Sequence, residues 1–95
     1  MLHFVYLMAS RPRGALYLGS TNDLRQRVEQ HRAKAVRSHT ATYNIGTLVW
    51  FEQHPTYRDA IHRERRIKKW RRAWKIALIE ESNPDWRDVS SEIPL

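Results

Sequence analysis

The sequence predicts an α+β fold in which helices flank a small three-stranded antiparallel sheet, in the order β-β-α-β-α-α. Two observations carry this prediction. Two strand-like segments, HFVYLMA and ALYLGS, are separated by SRPRG, whose proline and glycine favour a turn, so the chain begins with a hairpin. Two segments with a helical spacing of apolar residues then enclose one further strand, TLVWFEQ, as expected for a sheet covered by helices.

The predicted hairpin brings two tyrosines to one face of the sheet. Both segments are rich in β-branched and aromatic residues, and the loop between them has about five or six residues. If Met8 lies opposite Ala15, then Tyr6 lies directly opposite Tyr17 on the same side of the sheet. A register shifted by one residue would separate the two rings.

A capping signature marks the first helix. Ser20-x-x-Asp23 precedes two apolar residues four positions apart, and it predicts a helix over Asn22 to Ala33. The apolar residues of the segment 34–46 have no regular spacing, which indicates a loop.

A second capping signature, Thr56 with Asp59, opens a helical pattern that persists to Glu81. A single helix of this length is unusual in so small a protein. We therefore expect a break near Arg71–Ala73 that divides the segment into two helices.

Length and composition restrict the class of protein. Ninety-five residues, 41% of them apolar, suffice for one domain with one core, which we place over residues 1–95. The chain has no cysteine, so it forms neither a disulfide nor a thiolate zinc site, which suits a reducing cytoplasm. No apolar run approaches the roughly 18 residues that span a bilayer, so no membrane partner is expected.

Positive charge is concentrated in one part of the chain. The net charge is +7, and the segment from Arg58 to Lys75 holds nine basic residues against two acids. Such a field favours a polyanionic partner, nucleic acid first, although a solvated helix face has the same pattern. The predicted nucleic-acid contacts are Arg58, Arg63, Arg65, Arg66, Lys68, Lys69, Arg71 and Arg72.

Two charged residues break the apolar stripes of the predicted helices. Glu64 shares a helical face with Ala60 and Ile67. Arg27 falls on the face of the first helix that carries Val28. A buried charge costs several kcal/mol unless it is paired or bound to a metal. The two side chains therefore either form a salt bridge beneath the sheet or line a cleft, where a lone carboxylate suits Mg²⁺ and an arginine suits a phosphate.

Four segments, taken in order, resemble the GIY-YIG nuclease superfamily. They are FVYLM at 4–8, LYLGST at 16–21, DLRQRVEQH in the first helix and RERRIKKW in the second. The closer likeness is to the small stand-alone bacterial members that resemble an excinuclease domain, and it covers about residues 3–87. The chain departs from the motif at Val5 and Leu18, which are conservative aliphatic changes, and at Phe4, which replaces a glycine and narrows the approach of a ligand.

The resemblance implies a reaction and a set of site residues. The reaction is hydrolysis of nucleic-acid phosphodiester bonds, with DNA favoured over RNA, one Mg²⁺ or Mn²⁺ ion, and an excinuclease-like place in DNA repair. A monomer is the working assumption. The implied residues are Tyr6, Tyr17, Arg27 and His31 as catalytic groups, Glu64 as the metal ligand and Asn83, in SNPDW, as a further active-site residue.

The implied mechanism is in-line attack of water on the phosphorus. A metal ion on Glu64 would neutralise the developing charge, and Arg27 would stabilise the pentacovalent phosphate. Tyr6 and His31 are both candidates for the general base. A free phenol such as that of Tyr6 has a pKa of ~10, whereas His31 is deprotonated more readily at neutral pH.

Three functions are compatible with these residues. The first is a nuclease. The second is a nucleic-acid-binding module of the same fold with little or no catalysis. The third is an interaction domain whose basic helix binds an acidic protein. The presence of the tyrosines together with Arg27 and Glu64 favours the first. Trp70 and Trp74 are expected to pack the last helix onto the sheet, with stacking on bases as the alternative.

Overall fold

The computed structural model describes residues 2–33 and 44–94. The elements follow one another as β1 (His3–Ala9), β2 (Leu16–Thr21), α1 (Leu24–Ala33), β3 (Thr47–His54), α2 (Tyr57–Lys68), α3 (Arg72–Ser82) and a 3₁₀ turn at Ser90–Glu92. The predicted α+β class and the order β-β-α-β-α-α are confirmed. Most of the predicted loop over 34–46 lies outside the described residues.

The middle strand of the sheet is β1, which pairs with β2 on one side and β3 on the other, in both cases antiparallel. Every residue from Phe4 to Ala9 is buried, because helices cover both faces of this strand. The period of two along the strand divides the core into two layers. The α1 face holds Tyr6 and Met8 with Leu24 and Val28, and the α2–α3 face holds Val5 and Leu7 with Ala60, Ile67 and Ile79.

The hairpin register differs from the predicted one by two residues. Met8 lies opposite Tyr17, and Tyr6 lies opposite Gly19. The backbone N–H of Ser10 donates to the carbonyl of Ala15, 3.0 Å away, and this pair closes the loop over residues 11–14. A shift of two residues keeps every side chain on its face. The prediction of direct opposition was therefore wrong, while the two tyrosines do share the α1 face.

The predicted capping box of the first helix was also wrong. Ser20 belongs to β2, and α1 begins at Leu24 rather than Asn22. The carboxylate of Asp23 caps the helix by accepting a 3.2 Å bond from the backbone N–H of Gln26. The second predicted cap is present, because Thr56 Oγ1 accepts a 3.1 Å bond from the backbone N–H of Asp59.

The long helical segment is divided, as predicted, although slightly earlier in the chain. Lys69 forms the C-cap of α2, and α3 starts at Arg72. Trp70, at the junction, packs half-buried against the α2–α3 face. Trp74 is 53% exposed, so the prediction that it packs onto the sheet was wrong.

Within residues 2–33 and 44–94, every helix is too short or too polar to span a bilayer.

Candidate active site

Three aromatic side chains meet on the α1 face of the sheet. The Tyr6 hydroxyl lies 3.2 Å from Nε2 of His31, which reaches it from the last turn of α1. The ring of Tyr17 lies 6.1 Å from that of Tyr6 and 4.9 Å from that of His31, measured between centroids. Two tyrosines and the histidine, all predicted as catalytic, thus form one cluster.

The position of Tyr6 depends on the glycine opposite it. A Cβ atom added to Gly19 would lie 2.8 Å from the Tyr6 hydroxyl oxygen and 2.9 Å from Cε1 of Tyr17. Both rings therefore lie directly over the backbone of β2. The motif glycine leaves the space through which the phenol of Tyr6 reaches the edge strand.

Burial and neighbouring charges set the protonation of the cluster. Burial raises the pKa of Tyr6, with a further increase from Tyr17, while the cation of Arg27 lowers it in part. Burial lowers the pKa of His31, and the charge of Arg27 lowers it further. At neutral pH Tyr6 is therefore a phenol and His31 a neutral imidazole. It follows that Tyr6 donates the hydrogen bond and Nε2 of His31 accepts it.

Arg27 lies at the border of the apolar stripe of α1. Leu24 and Val28 are buried, but Arg27 is exposed, so its predicted place among the core residues was wrong. The stripe is narrow enough that a residue beside Val28 turns toward solvent. Its charge nevertheless acts on the pKa values of both Tyr6 and His31, so the guanidinium lies near the cluster.

Glu64 turns toward the sheet, as its helical position predicts. The hydroxyl of Ser20 on β2 donates a 2.6 Å bond to Glu64 Oε1. Lys68 Nζ lies 3.5 Å from Oε2, and the side chain of Glu64 is 16% exposed. Among residues 2–33 and 44–94, no ion pair joins it to Arg27. The alternative of a salt bridge beneath the sheet is therefore wrong.

The carboxylate of Glu64 fits a single divalent ion better than a protein-enclosed metal centre. No three His, Cys, Asp or Glu side chains of the described ranges are grouped so as to hold a metal. Mg²⁺ keeps several waters and is held by one or two carboxylates together with substrate phosphates, so Glu64, whose two oxygens contact Ser20 and Lys68, would hold such an ion together with a phosphate.

The two halves of the site lie on opposite faces of the sheet. Tyr6 belongs to the α1 face, whereas Ser20 and its partner Glu64 belong to the α2–α3 side. They meet because β2 is an edge strand, and its consecutive residues Gly19 and Ser20 contact the two groups. Consistent with this proximity, the charge of Glu64 contributes to the raised pKa of Tyr6.

Asn83 is not part of this arrangement. It is 3% exposed, and its Nδ2 donates to the carbonyls of Val49 at 3.0 Å and Arg87 at 2.9 Å. Its Oδ1 accepts from the backbone N–H of Arg87. The side chain thereby attaches the segment after α3 to β3, the edge strand that lies on the other side of β1 from Tyr17.

The predicted nucleic-acid contacts fall into two groups. Some already have protein partners: Arg63 donates to Glu52, and Arg72 donates to the carbonyls of Arg13 and Gly14 in the hairpin loop. Arg71 lies over the ring of Trp74, and Lys68 faces Glu64. The exposed remainder of the predicted set is Arg58, Arg65, Arg66 and Lys69.

Comparison with known proteins identifies the family. The family model described as the GIY-YIG catalytic domain matches residues 2–77. The chain belongs to the GIY-YIG family. It therefore carries a nuclease-type domain.

Relatives of this GIY-YIG chain are small proteins of similar length. The UPF0213 proteins of Staphylococcus aureus strains Mu3 and COL are each 35% identical over 79 residues, which covers 83% of this chain and 95% of theirs. The solution NMR structure of a UPF0213 protein from Bacillus halodurans has a TM-score of 0.58 and 23% identity, with 96% of each chain covered. That structure shows the same fold.

Two residues that contact the candidate site, Gly19 and Ser20, are not indicated as site residues by the sequence pattern. Gly19 carries a usable signal, since a glycine inside a strand pattern often marks a close approach of another group. Ser20 had been interpreted as a helix cap, and its bond to Glu64 spans 44 positions of the chain. No local pattern indicates such a distant partner.

Proposed function

We propose that this chain is a divalent-metal-dependent endonuclease that hydrolyses nucleic-acid phosphodiester bonds, with DNA as the favoured polymer. One observation carries the proposal. The phenol of Tyr6, bonded to His31, and the carboxylate of Glu64 meet at adjacent residues of the edge strand β2. A proton-transfer group and a metal ligand are thus available to a single phosphate at the rim of the sheet.

Tyr6 and His31 together supply the base. The raised pKa of Tyr6 opposes a free phenolate, so Tyr6 can take a proton from water only as it gives up its own. Nε2 of the neutral His31, at 3.2 Å, is the acceptor of that proton. The bond from water oxygen to phosphorus forms while the bond from phosphorus to the leaving oxygen breaks, and the leaving oxygen takes a proton from solvent.

The remaining groups neutralise charge on the phosphate. Arg27 is exposed beside the cluster, and its planar guanidinium suits the equatorial oxygens of the transition state. Glu64 would hold the Mg²⁺ or Mn²⁺ ion. Such an ion, when bound, stabilises negative charge on phosphate oxygens as a Lewis acid. Tyr17 lies against His31 and orients the ring that receives the proton.

The exposed cations of α2 supply affinity for the polymer. Arg58, Arg65 and Arg66 lie on the exposed side of the helix that also carries Glu64, and Lys69 caps its end, so these cations can bind the phosphates of a polymer that reaches the site. We place the whole chain, residues 1–95, in this role as one domain, acting as a monomer in the cytoplasm.

A second candidate function is a binding module of the same fold without catalysis. The ion pair between Lys68 and Glu64 favours it, because a lysine already neutralises the carboxylate that a metal would need. The two functions differ in whether bound nucleic acid is cut.

The test is a cleavage assay on labelled single-stranded, duplex and branched DNA and on RNA, with Mg²⁺, Mn²⁺ or EDTA. We expect metal-dependent cleavage by the wild type and by Glu81→Gln, an exposed control on α3. Glu64→Gln should lose about 100-fold or more in rate. Its stability should fall by only about 1 kcal/mol or less, because Ser20 can still donate to the amide oxygen and the pair with Lys68 is weak. Binding without metal-dependent cleavage on any substrate would favour the binding module instead.

A further inference from the structure

A cleft of about 330 Å³ opens beside the proposed catalytic groups. Two rings and four polar side chains line it, namely His3, Ser20, Thr21, Asn22, Arg27 and Tyr57. Of these, only Arg27 and Ser20 have been given a role above. The cleft is therefore built mainly from side chains that the hydrolysis itself does not use.

The cleft adjoins the proposed catalytic groups. Ser20 lines it and donates to Glu64 at 2.6 Å. Arg27 also lines it, and the charge of Arg27 acts on both Tyr6 and His31. A phosphate held between Glu64 and Tyr6 would thus place its neighbouring sugar and base at the mouth of the cleft.

The two rings give the cleft an aromatic wall. His3 and Tyr57 meet edge to face, with 5.4 Å between their centroids. Tyr57 is 63% exposed, although it is one of the large apolar side chains, and it begins α2 directly after the cap Thr56. The capped helix end holds this ring at a fixed place. An exposed, rigidly placed ring on a positively charged surface is typical of a platform on which a base stacks.

His3 adds a second sign that a ligand belongs here. Its Nδ1 is buried and has no hydrogen-bond partner in the described ranges 2–33 and 44–94. Unpaired buried nitrogens are rare in folded proteins and usually have a functional explanation. A hydrogen-bond donor on a ligand that reorients the ring would satisfy this atom.

We propose that this cleft binds the base of the nucleotide next to the scissile phosphate, with Tyr57 as the stacking surface and His3 as a specificity-determining residue. The proposal rests on the nuclease function above. A cleft of this volume is at the lower end of small-molecule sites, so it admits one base but not a base pair. The bound base is therefore unpaired, as in enzymes that turn a base out of the stack.

The test measures binding of short fluorescent DNA oligonucleotides, about six residues long, in which one abasic residue is moved through the sequence. The Glu64→Gln protein is used so that no cleavage intervenes. We expect one abasic position to weaken binding by about 5- to 100-fold. Adding Tyr57→Leu should remove the difference between that oligonucleotide and the intact one, whereas adding Tyr57→Phe should keep it. Trp74→Leu, which removes an exposed ring outside the cleft, is the matched control and should also keep it.

The outcomes separate this inference from the nuclease proposal. Equal affinity for all abasic positions, or a positional effect that survives Tyr57→Leu, overturns the inference, while cleavage by the wild type leaves the nuclease intact. A positional effect that depends on Tyr57 supports the inference. A wild type that binds in this way but never cleaves overturns the nuclease and leaves the cleft as a base-binding site of a binding module. Absence of binding at low salt overturns both.

Discussion

Lys68 Nζ lies 3.5 Å from Oε2 of Glu64, one helical turn away on α2. The side chain of Lys68 is 66% exposed, so it can leave the carboxylate without disturbing the core. A cation held beside a metal ligand competes with the metal for the same negative charge. Under the proposed function, Lys68 would lower the affinity of Glu64 for a divalent ion.

Replacing Lys68 should strengthen metal binding. We expect Lys68→Ala to lower the Kd for Mn²⁺ by about 2- to 5-fold, since an exposed pair of this kind is worth up to ~1 kcal/mol. Isothermal titration calorimetry in the absence of nucleic acid measures this Kd. Lys69→Ala removes the same charge from the next, exposed position and should leave the Kd nearly unchanged. Equal effects of the two variants would mean that only the general field of α2 matters.

Tyr6 and His31 should act as one unit. Their 3.2 Å contact makes them consecutive members of a single proton path, so Tyr6→Phe and His31→Gln should each lower kcat by about 10²- to 10⁴-fold. The double variant should be scarcely slower than either single variant. His62→Gln, at an exposed position on α2, is the control and should retain full activity. Additive losses would show that the two groups act independently.

The pKa of His31 predicts a dependence on pH. Burial and Arg27 lower this pKa below its usual value near 6.5. The neutral ring should therefore persist as the pH falls below about 6.5, and the rate should decline only at lower pH. Between the two pKa values the unfolded chain binds more protons, so the free energy of unfolding also decreases as the pH falls.

An NMR titration of the His31 ring checks this assignment. Arg27→Ala should raise the pKa of His31, because it removes the second of the two causes. Arg58→Ala removes an exposed charge of α2 and should not change it. A pKa at or above the usual value in the wild type would contradict the neutral acceptor.

Gly19 should not tolerate a side chain. The Cβ of Gly19→Ala would lie 2.8–2.9 Å from atoms of Tyr6 and Tyr17, so one or both rings must move. We expect a loss of about 1–3 kcal/mol in the free energy of unfolding, with a fall in activity as Tyr6 shifts. Gly46→Ala is the matched control, since its nearest neighbour would be Arg32 Cγ at 3.6 Å. Chemical denaturation of both variants gives the comparison, and equal stability would contradict the close approach.

The exposed cations of α2 should set the salt dependence of binding. Contact with about 3–5 phosphates gives a slope of log K against log salt of about −3 to −5. Replacing Arg65 and Arg66 together with alanine should reduce the steepness by about 2. Replacing Arg11 and Arg87 changes the net charge equally in other parts of the chain, and it should leave the slope nearly unchanged. Fluorescence anisotropy across a salt series measures the slope for each double variant. Identical slopes for the two variants would show that α2 does not contact the nucleic acid.

The side-chain directions that the sequence predicts best are those set by the period of a single strand or helix. Alternation along β1 places Tyr6 on the α1 face, and the stripe of α2 places Glu64 toward the sheet, because each pattern depends only on neighbours within one element. The hairpin register could not be predicted in the same way, since a shift of two residues leaves every face unchanged.

Other features depend on distant partners. Ser20 satisfies a capping pattern, yet its hydroxyl donates to Glu64 on α2, a partner that the local sequence does not indicate. Trp74 has the spacing of a core residue, but the break at Lys69 turns α3 so that this ring faces solvent.

The arrangement of the site across an edge strand also bears on how the protein is made. A chain leaves the ribosome from its amino end, so the hairpin and α1, with Tyr6 and His31, emerge well before α2. Glu64 follows Ser20 by 44 residues. A nascent chain that ends before α2 therefore has the proton-transfer pair but lacks the carboxylate. Under the proposed function, a nascent chain would be inactive toward the messenger and the chromosome around it until α2 has emerged.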